Sequence, residues 1–240
     1  MKVFVIQPRK AKWVFWGSVA VLALQVFTFP FLAGDIVDVR ELTALNGACI
    51  VIDPGHGGFD AGASRQKHIE KEINLAISLK LAEIVSKAGA HVVMTRESDI
   101  DYYERSKGKG GKRRDIERRI DIINGARGNV YISIHANAIP ASRWTGAQVF
   151  YNPALPESKF LAEAMQEALK DFPPGNKRQA KQDLNILLLN RTTIPGVLIE
   201  TGYLSNPQEA KHLSDPNYQQ NMAYQIAKGL AYYFSRNAGR

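Results

Sequence analysis

The sequence predicts an α/β fold: a single three-layer domain with a mainly parallel central sheet flanked by helices, preceded by an N-terminal membrane helix. Three observations carry that prediction. Five apolar, strand-like runs alternate with stretches of helical period, the runs are nearly continuous in apolar residues, and one long uncharged apolar segment precedes them all. Continuous apolar runs describe strands buried on both faces, as in parallel sheets covered by helices. A chain of 240 residues suits one domain with a sizeable core and a short extra segment.

Residues 13–34, "WVFWGSVAVLALQVFTFPFLAG", are apolar except for Gln25 and Thr28 and follow Lys2, Arg9, Lys10 and Lys12. A helix of about 20 apolar residues crosses a bilayer, and the basic flank keeps the N-terminus in the cytoplasm. Residues 1–12 therefore read as a cytoplasmic basic flank, 13–34 as a membrane anchor or signal segment, 35–46 as a linker and 47–238 as the exported domain. No clear small-x-small cleavage site follows the run, which favours a retained anchor. The expected location is extracytoplasmic, membrane-anchored or secreted.

Within the domain, strands are expected at "CIVID" (49–53), "HVVMT" (91–95), "VYISI" (130–134), "AQVFY" (147–151) and "GVLIE" (196–200). Helical periodicity fits residues 70–88, 112–127, 157–171 and 217–235, and Gly89 provides a C-terminal cap for the first of them. No internal repeat is present.

The formal charge is +8, and four of those basic residues lie in the N-terminal flank without acids, leaving +4 on the exported part. Residues 105–119 hold eight Lys or Arg against Asp115 and Glu117. The rest of the exported part is slightly acidic, which argues against nucleic-acid binding, a function that uses a broader basic face. The Gly- and Lys-rich loop 104–115 reads either as a solvated insertion or as a contact with an anionic polymer or lipid surface. Cys49, the only cysteine, can form no internal disulfide and reads as a strand residue.

The chemistry gathers at strand ends. "VIDPGHGG" carries His56 just beyond the first strand, "YISIHAN" carries His135 beyond another, and "VLIETGYLSN" ends a third at Glu200. In open α/β sheets the carboxyl ends of the strands share one edge, where sites form. Two imidazoles and a carboxylate make a common catalytic zinc set with the fourth position left to water. The missing acid is sought in "HIEKEINLAISLKLAEIV", where Glu70 and Glu72 point about 200° apart on a helix, and pattern alone leaves the choice open. His68 is the one rival imidazole, because it precedes Glu70; His91 and His212 read as strand-start or surface residues. "GHGG" lacks the Lys-Ser/Thr ending of a phosphate-binding loop.

In this order, "IDPGHGG", the acid of "EKEINLA", "TRESD", "SIHAN" and "PGVLIETGYLSN" resemble the zinc-dependent N-acetylmuramoyl-L-alanine amidases of the Amidase_3 type over residues 49–236. The short anchor, the basic insertion and "HANAIPASRWTGAQVFY" are similar to the germination-specific subgroup of endospore formers. The resemblance implies a zinc amidase/exopeptidase-like fold, with Zn2+ held by His56, Glu70 and His135. It makes Glu200 the general base and Glu72 a helix-surface acid. It further implies peptidoglycan as substrate, removal of stem peptides in the spore cortex as a step towards muramic δ-lactam, and action between the forespore membranes. Only 64 residues separate His135 from Glu200, so no long autoinhibitory helix is expected across the site. Control then falls to expression, localisation, metal loading or an unknown regulatory protein. Two other readings are a zinc peptidase, with Arg96 as a cationic subsite or an ion-pair partner, and a catalytically silent wall-binding module.

Overall fold

A computed structural model describes residues 39–102, 110–170 and 172–237, all within one unit running from Asp38 to Arg240. Its strands are β1 (Cys49–Pro54), β2 (Ser64–Arg65), β3 (His68–Ile69), β4 (His91–Met94), β5 (Val130–Asn137), β6 (Gln148–Tyr151), β7 (Lys181–Gln182) and β8 (Gly196–Tyr203). Its α-helices are α1 (Glu70–Lys87), α2 (Gly111–Gly125), α3 (Pro156–Ala168), α4 (Leu187–Arg191), α5 (Pro207–Leu213) and α6 (Pro216–Asn237). The main sheet runs β4, β1, β5, β8, β6, β7. Every pairing in it is parallel except β6 against β8.

All five expected strands form, because runs such as Ile50, Val51 and Ile52 lose all solvent contact when covered on both faces. Burial stabilises each such side chain by about 1.5–3 kcal/mol. In α1, Ile73, Ile77, Leu81 and Ile84 repeat at helical spacing and form its buried stripe. Helices α1 and α3 pack on α6 to make one outer layer. On the opposite side, Ile120 and Ile123 of α2 and Leu188 and Leu189 of α4 close over Val51, Tyr131 and Leu198. Gly89, at φ +90°, follows the end of α1 as expected.

The structure also departs from the sequence reading. Residues 35–46 were expected to link, yet Val39–Leu45 form a 3-10 helix whose Leu42 and Leu45 are fully buried. Apolar burial outweighs the short length that made this stretch read as linker. The third helix stops at Ala168 rather than 171. The short β2, β3, β7, α4 and α5 are too brief to show a period. The proposed membrane segment 13–34 and its flank lie outside the described residues, as do residues 103–109 of the basic loop. Among the described residues no helix is long and apolar enough to cross a membrane.

Candidate metal centre

Parallel pairing brings the ends of β1 and β5 together, so that Pro54 lies beside Ile134, and the loop after β1 passes directly over His135. Gly55 is required there: a Cβ on it would lie 2.3 Å from the His135 ring. His56 follows with a left-handed backbone, φ +60°, a conformation that costs a non-glycine residue about 1–2 kcal/mol. A buried scaffold holds it in place. Arg119 of α2 donates to the carbonyls of Pro54 (2.6 Å) and His56 (2.5 Å) and pairs with Asp53 (2.9 Å) and Asp115 (2.7 Å). Asp53 also accepts from Thr95 (2.6 Å) and Ser133 (2.7 Å). Burial alone would raise the Asp53 pKa, but the Arg119 charge and these hydroxyls hold it below the usual carboxylate range.

Helix α1 begins at Glu70, which is buried, whereas Glu72 is exposed. Glu70 Oε1 lies 3.1 Å from Nε2 of His56 and 3.1 Å from Nδ1 of His135. Its Oε2 accepts the Ala63 amide at 2.7 Å. The two rings meet edge to face with centroids 4.9 Å apart. One donor atom from each of His56, Glu70 and His135 lies within 4.8 Å of the others. Donors about 2.0–2.1 Å from a tetrahedral ion stand about 3.3 Å apart, a spacing the trio could reach around a divalent metal. Burial opposes ionisation of Glu70, yet hydrogen bonds and charge from His135 and His56 drive its pKa well below the usual range. Burial likewise opposes protonation of His56, but Glu70 and Asp60 outweigh it and raise the imidazole pKa.

Glu200 stands opposite His135 in the β5–β8 register. Its Oε2 is closed off from solvent and has no hydrogen-bond partner among the described residues. Burial pushes its pKa up to about 7, with the Glu70 charge adding to the effect and the two histidines opposing it. A half-buried glutamate whose Oε2 is closed off and unpartnered, near two imidazoles, is poised to take up a proton.

The chain matches the family model described as N-acetylmuramoyl-L-alanine amidase over residues 50–232. It belongs to the N-acetylmuramoyl-L-alanine amidase family. The germination-specific amidase of Bacillus subtilis strain 168 is 39% identical over 230 residues, 95% of this chain and 96% of that protein. The structure of the CwlD amidase from Clostridioides difficile, solved in complex with the GerS lipoprotein, matches with a TM-score of 0.76 at 39% identity. It covers 79% of this chain and 100% of that one. The catalytic domain of the amidase CwlV from Paenibacillus polymyxa matches at 0.68 and 31% identity, over 78% of this chain and 98% of that one.

Against this amidase framework, the four expected residues His56, Glu70, His135 and Glu200 converge. Three other groups behave differently. His68 bonds Ser214 at 2.6 Å and is not among the three grouped donors. Arg96 is buried and donates to the carbonyls of Pro54, Gly55, Lys71 and Ser98. It is therefore a strut of the loop, closed to any substrate carboxylate. Arg119, counted only as part of the local basic charge of residues 105–119, is buried beneath the loop. Asp60 escaped the sequence reading altogether: its Oδ2 lies 2.8 Å from Nδ1 of His56 and its Oδ1 lies 2.7 Å from Lys112 Nζ. Its place four residues after His56, within the same glycine-rich loop, was the available signal.

Proposed function

We propose that the protein is a zinc-dependent N-acetylmuramoyl-L-alanine amidase whose substrate is peptidoglycan of the spore cortex. It hydrolyses the amide between the lactyl group of N-acetylmuramic acid and L-alanine, releasing stem peptides as a step towards muramic δ-lactam. The observation that carries this reading is the closed-off, unpartnered Oε2 of Glu200 beside the His56, Glu70 and His135 trio.

The trio would hold zinc, which when bound polarises the scissile carbonyl and lowers the pKa of water toward neutrality. Glu200 accepts the proton of the attacking water on Oε2 and returns it to the departing amine. Burial matches its proton affinity to both transfers. Asp60 keeps the proton of His56 on Nδ1, leaving the Nε2 lone pair directed toward Glu70 and the metal position. Side chains of His56 and His135 retain 24% and 20% exposure, enough for substrate to reach them. The long helix between His135 and Glu200, α3, packs on α6, in keeping with a site open to its polymer.

Peptidoglycan places the action outside the cytoplasm, and residues 13–34 supply the anchor or export signal in this reading. The C. difficile relative was solved with a lipoprotein, which supports a protein partner for this chain too. Arg96, which the peptidase reading named as its cationic subsite, is taken up by backbone carbonyls, and the bond that is broken distinguishes the two readings. The silent-module reading is disfavoured because all four site residues converge.

The decisive experiment incubates the purified protein with cortex peptidoglycan, with and without added zinc, and identifies the broken bond by mass spectrometry. Free lactyl carboxylates that require zinc establish the amidase. Cleavage within the peptide, or zinc binding with no cleavage, overturns it.

A further inference from the structure

Beyond the metal centre, two arginines stack on one tryptophan at the same sheet edge. Arg143 Cζ lies 5.2 Å from the Trp144 ring centroid and Arg178 Cζ lies 5.1 Å from it. Arg178 also stands 5.0 Å from the Tyr203 ring. Trp144 is 37% exposed and Arg143 is exposed. Among the described residues neither arginine lies within ion-pair distance of an acid, whereas Lys71, Lys112 and Arg119 around the His56 loop are each paired with one. Asn206 donates to the Ser142 carbonyl at 2.8 Å and Arg178 Nε to the Thr145 carbonyl at 3.0 Å, which pins the tryptophan loop.

Strand β8 sets the distance of this cluster from the centre. Glu200 pairs with His135 and Tyr203 with Asn137, so β8 carries one extra residue between the two pairs. Such a bulge re-aims side chains, and Tyr203 thereby shares the face of His135. Burial pushes the Tyr203 phenol up in pKa, Arg178 opposes this and the Glu200 charge adds to it, so the phenol feels both groups. Gln148, opposite Glu200 on β6, donates to the carbonyl of Gln179 at 3.1 Å and ties the Arg178 segment to the neighbouring strand. Three strand residues at about 3.3 Å each place Tyr203, on which Arg178 rests, about 10 Å along β8 from Glu200.

We propose that Arg143, Trp144 and Arg178 form the subsite for the α-carboxylate of the second stem-peptide residue, which sets substrate preference; this rests on the amidase reading. In a stem peptide, a glutamate joined onward through its side chain leaves its α-carboxylate free. Two extended residues from the scissile bond reach about 7 Å, and a guanidinium–carboxylate contact of about 2.8 Å closes the remainder. Stacking on a ring leaves a guanidinium's in-plane donors available to a carboxylate; in Arg178 Nε is already given to the Thr145 carbonyl, and the stacking has removed part of the freedom that binding would otherwise cost.

The test compares two soluble muramoyl peptides that differ only in the second residue's α-carboxyl, free acid or carboxamide, with the zinc-loaded full chain. The wild type is expected to show a lower KM for the acid. Arg143→Gln and Arg178→Gln should each raise that KM about tenfold, the effect of one lost charge-assisted bond, and raise the KM for the amide much less, so that the acid-to-amide preference falls. An acid-to-amide KM ratio that stays at the wild-type value in both variants overturns the subsite. Equal losses on both substrates also overturn it, because they mark a merely structural clamp. Arg143 is exposed, so its variant keeps the test decisive if Arg178→Gln misfolds. Failure of the wild type to cleave either peptide overturns the amidase reading itself, and the subsite with it.

Discussion

Asp60 Oδ2 approaches Nδ1 of His56 at 2.8 Å, on the ring nitrogen opposite the one that faces Glu70. A carboxylate in that position fixes the ring's tautomer and orientation. Asp60→Asn keeps the size but loses the charge, and should weaken zinc affinity about 10–100-fold. Competition with a chromophoric chelator measures this, and unchanged affinity would show that the loop backbone alone orients His56.

Glu200 is set for proton transfer by burial. Glu200→Gln should lower hydrolysis by about 100–10,000-fold while bound zinc, measured by atomic absorption, stays stoichiometric. Retained turnover would move the base to another group.

The same carboxyl links stability to pH. Its folded pKa, about 7, lies above the 4.5 of an ordinary glutamate. Native protein therefore binds the extra proton, and the resulting stabilisation is complete below pH 4.5 and lost as pH rises through 7. In metal-free protein, the loss between pH 4.5 and 8 attributable to Glu200 is about 3 kcal/mol at 1.36 kcal/mol per unit. Urea melts should show the pH dependence of wild type exceeding that of Glu200→Gln by this order. Parallel curves for the two proteins would contradict it.

Arg119 is a buried cation between Asp53 and Asp115, and it holds two carbonyls of the metal loop. Arg119→Met leaves Asp53 buried without its counter-charge and should cost about 3–5 kcal/mol of stability. Denaturant unfolding reads the loss directly, and a cost below 1 kcal/mol would show that Thr95 and Ser133 satisfy Asp53 unaided.

Gly55 tests the close passage of the loop over His135. Gly55→Ala places a methyl carbon 2.3 Å from the ring, so His135 must leave its position. Zinc stoichiometry should fall well below one, with far-ultraviolet circular dichroism unchanged. Full zinc occupancy in this variant would mean the loop can lift without disturbing the site.

The sequence alone determined the layered fold, the five principal strands, four of the helices and the placing of His56, His135 and Glu200 at one sheet edge. Each of these follows from local pattern: apolar runs must be covered, helical stripes must face the sheet, and parallel strands end on a common side. Glu70 over Glu72 needed more, since the helix period offers both acids. Resemblance favoured Glu70, and the tertiary structure buries it against both imidazoles. Only three-dimensional packing decided the partners of Asp60, Arg96 and Arg119 and the ring contacts of Trp144. A charged side chain's partner is set by which distant segment the fold brings beside it: Arg119 reaches Asp53 across 66 positions. Sequence periodicity records which face is apolar and carries no information on such pairings.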